Sequence, residues 1–335
     1  MAAMTITHFV AWREGDGTLH AAAELFRGRA MPLFMLLGGV GVTLLTRRSA
    51  APARTLLVRS AMLMSLGLLL TEHIDRLAIV LQSYAVLFIL AVGLHRLPSK
   101  VLVALVPAMV AVGAVAHQTV GEPRTLTTYD MVFSWQGVES LLVDGYYPVF
   151  PVGAFFVFGM WLARLDLRDP RVAASLAGAG TALGVAVWAG ARGIVSILGL
   201  PPAIDAAADG TFRWERLADV EGHSAMPAWV LSALGSSTAV LGLCLLAAPA
   251  IGRALTPLRA VGAMSLSYYV FQAWATNVVP PTAETGVLHE WFLTALVFGI
   301  FVIFALVWKL RFKHGPLEWL FRLSSWRRRT PPTSV

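Results

Sequence analysis

Charge is what this sequence has least of. Asp, Glu, Lys and Arg together make 13% of 335 residues, against 57% hydrophobic residues, and the mean hydropathy is +0.70. One soluble core cannot hide that much apolar surface, so lipid must be the solvent for much of it. Cysteine is almost missing: Cys244 stands alone inside an apolar run. That excludes an internal disulfide, and the expectation is a buried, inert thiol. No Cys/His cluster has zinc spacing, so no metal is expected. No internal repeat is evident, and no G-x-S-x-G elbow accompanies the serines. The pI of 10.1 suggests nucleic acid, but the basic residues flank apolar runs and build no binding module, so no nucleic-acid partner is expected.

What is present is a succession of long apolar runs. A spanning helix needs roughly 20 mostly apolar residues. Candidates lie near residues 30–46, 55–71, 77–95, 101–117, 147–163, 172–192, 226–247, 260–279 and 288–310. The expected fold is therefore all-α, a polytopic transmembrane helical bundle of about nine spans in one integral membrane domain. Residues 1–29 form an outer N-terminal segment, 30–310 the bundle and 311–335 an interfacial tail.

The loops alternate in sign. One side holds 18 of the 26 Lys and Arg residues, including Arg47, Arg54, Arg96, Arg164, Arg171 and Lys309; the other holds 16 of the 19 acids. Excess Lys and Arg mark the cytoplasmic face. The expected location is the plasma membrane, with the C-terminus cytoplasmic. Nine spans then put the N-terminus outside. Met1 to Trp12 is apolar but only about half a span long, so the expectation is a truncated first helix, with an interfacial or re-entrant segment as the alternative. In the tail, Trp319, Phe321 and Trp326 accompany arginines, a composition suited to anchoring at lipid headgroups.

Candidate chemistry collects on the outer side. Six of the eight histidines fall there: His8, His20, His73, His117, His223 and His289. Histidine is the usual general base near neutral pH, although a solvated loop histidine is the plainer reading of any one of them. Arg27 and Arg29 precede a span with Gly38, Gly39 and Gly41, small residues that let helices approach closely. Arg29 at the span mouth is also a candidate for holding an anionic group. Glu72, His73, Asp75 and Arg76 make a compact turn, where Asp75 and Arg76 either cap the next helix or bind substrate. Gln82 follows within a span and needs a partner, so it should face the bundle interior.

Tyr146, Tyr147, Pro148 and Pro151 enter an aromatic span, a pattern shared by interfacial belts and by a substrate cavity. His223 and Ser224 sit before another span, Ser224 as a candidate cap and Pro227 in the first turn. That helix start would favour an anionic intermediate beside His223. Ser265, Tyr268, Tyr269 and Gln272 follow the spacing of one helical face, which must be buried or line a cavity.

These stretches resemble a known family. FRGRAMPLFMLLGGVGVTLL, LVDGYYPVFPVGAFFVFGMWLARLDL, HSAMPAWVLSALGSSTAVLGLCLL, LRAVGAMSLSYYVFQ and GPLEWLFRLSSW occur in order along nearly the whole chain. Together they resemble the YeiB-like bacterial membrane proteins of unknown function, which share a fold region with heparan-alpha-glucosaminide N-acetyltransferase-like proteins. The family usually opens with a helix containing D-x-x-R-G, which is absent here. His8 matches the histidine near the end of that helix. In the acetyltransferase relatives an outer-side histidine near the second helix is implicated in acetyl transfer, and His8 and His20 are the two candidates for it.

The resemblance implies an acyltransferase. Acyl-CoA, with acetyl-CoA as the possible donor, would bind from the cytoplasmic face. An outer-side histidine, His223, His20 or His8, would deprotonate a glycan, amine or lipid acceptor. Arg29, Asp75, Arg76, Gln82, Tyr147, Ser224, Tyr268 and Gln272 are the candidate substrate-binding residues. The alternative is a non-enzymatic carrier of a small or lipid-like solute, with the Tyr268 and Gln272 face lining its path. A third reading is a structural membrane component with no ligand. The lipid bilayer is the expected partner in every case; the sequence leaves the oligomeric state open.

Overall fold

The computed structural model describes residues 1–10, 23, 26–74, 76–120, 134–201, 211–279 and 286–323, and among them every regular element is helical. The first helices are α1 (Ala2–Phe9), α2 (Ala30–Arg48), α3 (Pro52–His73), α4 (Leu81–Leu94), α5 (Ser99–Val120) and α6 (Val149–Leu162). They are followed by α7 (Pro170–Ile197), α8 (Pro227–Ile251), α9 (Thr256–Gly262), α10 (Ser265–Val278), α11 (Val287–Arg311) and α12 (Pro316–Leu323). A short segment, Trp135–Glu139, runs into a π-helical turn at Ser140–Asp144 before α6.

Local chemistry sets several of these boundaries. Asp169 accepts a hydrogen bond from the Arg171 amide at 2.8 Å and caps α7, with Pro170 in its first turn. Pro52 and Pro227 open α3 and α8 in the same way.

Among the described residues six helices, α2, α3, α5, α7, α8 and α11, are long and apolar enough to cross a membrane. A seventh span results if Trp135–Asp144 and α6, bent by 54°, are taken together. This is the architecture of a polytopic helical membrane protein. Its large apolar side chains also point outward: Ile303, Val307 and Leu310 of α11 are 65%, 59% and 84% exposed. A soluble protein would bury such a stripe.

Three of the nine candidate spans are not continuous long helices; one, 147–163, holds only the 14-residue α6 and reaches spanning length only with the bent segment before it. The stretch 77–95 contains α4, whose 14 residues reach only about 21 Å, short of a hydrocarbon core roughly 30 Å thick. The stretch 260–279 is broken between α9 and α10. The break before α4 has a physical reason: the 76–80 segment is irregular and lines a cavity. Its last amide, Val80 N–H, donates to the Tyr269 hydroxyl at 3.2 Å. Irregular backbone at membrane depth is tolerated where protein supplies such partners.

Small residues hold the bundle together. A Cβ on Gly39 would collide with the Phe156 carbonyl, and one on Gly159 with the Leu36 carbonyl, so α2 and α6 touch backbone to backbone. Thr43 Oγ1 donates across the same crossing to the Met160 carbonyl at 3.2 Å. Gly38 faces the Tyr84 ring, whereas Gly41 has nothing within 4 Å. Between α7 and α8, Gly180 and Gly184 meet Gly235, and Gly242 meets Ala177.

The two ends of the bundle differ. At the basic end the Arg164 guanidinium donates to the Leu97 carbonyl at 2.7 Å and the His95 carbonyl at 3.4 Å, covering the last turn of α4. Here too α12 folds back on α10. Glu318 Oε1 accepts from the Leu266 and Ser267 amides at 2.7 and 3.0 Å, and Oε2 from Ser267 Oγ at 2.6 Å. Phe321 of α12 is buried and Trp319 exposed; Trp326 and the arginines after it lie outside the described residues. The expectation for Cys244 is corrected: it is exposed on the outward apolar face of α8, beside exposed Leu243 and Val240.

Candidate functional site

The opposite end of the bundle carries a cavity of about 510 Å³. His8 enters it from the last turn of α1, and Arg27 and Gly28 from the turn leading into α2. Arg76 comes from the irregular segment before α4, Tyr147 from the loop before α6, and His223 from the loop before α8. Tyr269 of α10 and Tyr146 complete the aromatic wall.

His223 is held firmly. Its ring centroid lies 4.8 Å from Tyr146, 5.5 Å from Tyr147 and 5.7 Å from Trp229. Its backbone is left-handed, φ 70°, as is that of Ala225 at φ 61°. Residues with side chains rarely adopt this region, and such strain persists only where surrounding contacts impose it. The imposing contact is visible. Gly28, itself at φ 64°, packs backbone against backbone on Gly222, and Trp229 Nε1 donates to the Gly28 carbonyl at 3.1 Å. Any side chain at Gly28 would strike Gly222 and Trp229.

His8 and His223 share the cavity and interact electrostatically. The Nδ1 atom of each is buried and has no hydrogen-bond partner among the described residues. Enclosure, with the Arg27 charge as the second cause, pushes the His223 imidazole down to about 4. A neutral imidazole with a free nitrogen is able to take a proton. Positive potential surrounds the pair. Arg27 and Arg76 line the cavity, and the first turns of α2 and α4 reach it through Ala30, Met31 and Val80. Helix N-termini and guanidinium groups both favour anions.

The other candidates divide. Arg76 and Tyr147 line the cavity with His8 and His223. His20 and Asp75 lie outside the described residues. Ser224 does not cap α8; the capping position is Met226, whose amide donates to Ser224 Oγ at 3.4 Å in a local turn. Gln82 is buried and Nε2 donates to Thr71 Oγ1 at 2.7 Å, tying α4 to α3 away from the cavity lining.

Tyr268 and Gln272 are buried as the helical spacing requires, but neither is part of the cavity lining. Tyr268 packs on Phe298 and Phe301 and its hydroxyl bonds Thr5 Oγ1; Gln272 Oε1 accepts from Thr5 Oγ1 at 3.4 Å. They join α10 to α1, and Tyr269, one residue away, is the side chain that reaches the cavity. Arg29 turns into a neighbouring groove and donates to Ser232 Oγ at 2.8 Å. His73, His117 and His289 do not line the cavity.

Sequence reasoning did not single out Gly28 or Trp229. Their signal was available only in part: Gly28 stands between two arginines, a place where a turn with positive φ needs glycine, while Trp229 reads as one more apolar residue of a span. Among the described residues no three His, Cys, Asp or Glu side chains gather as metal ligands.

Comparisons with known proteins bear on this site. Residues 1–195 match the family model described as heparan-alpha-glucosaminide N-acetyltransferase, catalytic. Residues 178–328 match a family described as protein of unknown function (DUF418). An uncharacterized 39.9 kDa protein in the amylase 3'region of Bacillus acidopullulyticus is 32% identical over 93 residues, 27% of each chain. The chain thus matches only 27% of that relative's length. No solved structure matches.

Proposed function

The chain belongs to the heparan-alpha-glucosaminide N-acetyltransferase catalytic family, and from that premise we propose that it is an integral membrane acyltransferase of the plasma membrane. It moves an acyl group from acyl-CoA, acetyl-CoA foremost, to a glycan, amine or lipid acceptor at the extracytoplasmic end of the bundle. One observation carries this reading: two buried imidazole nitrogens with no hydrogen-bond partner among the described residues, His8 Nδ1 and His223 Nδ1, in one cavity lined by Arg27 and Arg76.

The residues suggest a division of labour. An unprotonated imidazole takes the proton of the acceptor hydroxyl or amine as that oxygen or nitrogen attacks the thioester carbonyl. The carbonyl oxygen gains negative charge, which Arg27 and the adjoining helix N-termini stabilise. The carbon–sulfur bond then breaks, and the CoA thiolate leaves with the proton returned by the imidazolium. Tyr146, Tyr147 and Trp229 keep His223 in place and exclude water from it.

The test is CoA release from acetyl-CoA by purified protein. A general base contributes about 10²- to 10⁴-fold, so His223→Ala and His8→Ala should each lower the rate by at least about a hundredfold. Equal rates in the wild type and both variants would remove the pair from the mechanism. A solute carrier would bind its ligand without releasing CoA, and the same measurement separates the two.

A further inference from the structure

Positive-inside topology accounts for 18 of the 26 basic residues, and in the sequence alternation the other eight, all arginines, fall on the side where it predicts few. Four of those eight, Arg27, Arg29, Arg76 and Arg192, line one of two cavities. Arg76 faces the histidines. Arg29 and Arg192 face a second groove of about 630 Å³ between α7, α8 and the 220–222 loop, and Arg27 lines both.

The groove has two chemically different ends. Near the membrane boundary it is lined by Arg27, Arg29 and Arg192, against a single carboxylate, Glu221. Among the described residues the Arg29 side chain bonds only the neutral Ser232 hydroxyl. Arg192 lies over the ring of Trp188, 5.9 Å from guanidinium carbon to ring centroid, a pairing suited to headgroup depth. From there the groove descends along α7 past Gly184 to Gly180, about 18 Å below Arg192 by helical rise. Ala239 and Val240 of α8 form the facing wall. A charged mouth at the interface and an apolar trough into hydrocarbon fit an anionic headgroup with one chain attached. The Gly28–Gly222 contact stands between this groove and the histidine cavity, and Arg27 lines both.

We propose that this groove seats a phosphate-bearing membrane lipid, its phosphate on Arg29 and Arg192 and one chain along Gly184 and Gly180. Resting on the acyltransferase reading, the lipid is the acceptor, or the carrier of the acceptor, whose headgroup extends past Arg27 to His223. Arg–phosphate pairs are short and charge-assisted, and the chain supplies the hydrophobic part of the affinity.

The test uses the full chain in detergent with dioleoyl phosphatidic acid as probe, and dioleoylglycerol and sn-glycerol 3-phosphate as controls, read by native mass spectrometry. Phosphatidic acid should bind at least about tenfold more tightly than dioleoylglycerol, the share expected of charge-assisted hydrogen bonds. Arg192→Ala, at an exposed position whose loss leaves the core intact, should remove most of that preference. Arg29→Lys should weaken it while keeping the charge, and Arg168→Ala, exposed at the opposite end of the bundle, should leave it unchanged. Equal binding of phosphatidic acid and dioleoylglycerol, or an Arg192→Ala variant with wild-type preference, would overturn the proposal. So would displacement by sn-glycerol 3-phosphate as efficient as by the lipid, because the chain would then contribute nothing. Absence of CoA release from the wild type would sink the acyltransferase reading and leave the binding result standing.

Discussion

At the scale of single residues the chemistry turns on whether His223 is charged. Its enclosure among Tyr146, Tyr147 and Trp229, together with the Arg27 charge, holds the imidazole at about 4. A group with a lowered value takes its proton only at lower pH, so His223 stays a free base across the neutral range. The kcat/KM of acyl transfer should therefore be flat on the acid side down to about pH 5 and fall as pH drops through about 4. An ordinary histidine base would produce that fall near 6.5. Arg27→Gln should move the limb upward, because the secondary cause is removed. The same shift acts on stability: the contribution is full above about 6.5, where an unfolded histidine is neutral, and is lost as pH falls through about 4. A limb at 6.5 in the wild type would mean that water reaches the ring freely. Imidazoles can be counted in a sequence, but which of them meet cannot. His8 and His223 come together across more than two hundred residues of chain, while His73, at the polar end of α3, is exposed and bonds its own helix at Leu69. Tyr268 and Tyr269 are adjacent, and one step of about 100° around α10 decides which reaches the cavity. The spacing marks the buried face and says nothing of the neighbour.

At the scale of elements, the helices with the longest apolar runs were legible, and the interruptions were not. Nothing in the hydropathy of 77–95 says that α4 begins only at Leu81; its late start depends on Tyr269, 189 residues away, accepting from Val80. The GPLEWLFRLSSW stretch reads as an interfacial anchor with Trp319 and Phe321 at the headgroups; in the structure Phe321 instead packs into the bundle core, and Trp319 is exposed. The carboxylate of α12 has a further task invisible in sequence. Glu318 accepts from two amides and a hydroxyl at the start of α10, which lacks a cap from its own capping residue, Met264. A helix cap contributes about 0.5–2 kcal/mol, and the negative charge complements the positive helix end. Glu318→Gln should lower the melting temperature by a few degrees, and Glu318→Ala by more, with earlier proteolysis at Arg322 as α12 detaches. Gly315→Ala should mimic this, since its Cβ would occupy the place of Glu318 Oε2. Unchanged melting in all three would mean that α12 is held by its apolar face alone.

At the scale of the whole molecule, one asymmetry organises both topology and site. The α4–α5 loop meets the end of α6 through Arg164, and Arg47 and Arg322 lie close enough to Arg164 and Arg59 to repel them. Such clustering of like charge is unfavourable in itself and is understandable where anionic lipid or phosphate faces it. The other end gathers both cavity histidines and the four cavity arginines. If the basic end is cytoplasmic, the acceptor is taken from outside the cell, and the C-terminal helix α12 lies inside. Single-cysteine labelling decides this. The native thiol is first removed by Cys244→Ser, a change on an outward face. Glu72→Cys and Arg168→Cys then introduce reporters at exposed positions on opposite ends. A membrane-impermeant maleimide should label the Glu72→Cys variant in intact cells, and the Arg168→Cys variant only after permeabilisation. The reverse pattern would turn the bundle over. It would place His223 and the arginine-lined groove in the cytoplasm, where acyl-CoA is available directly, and transfer would then need no passage of the acyl group across the membrane.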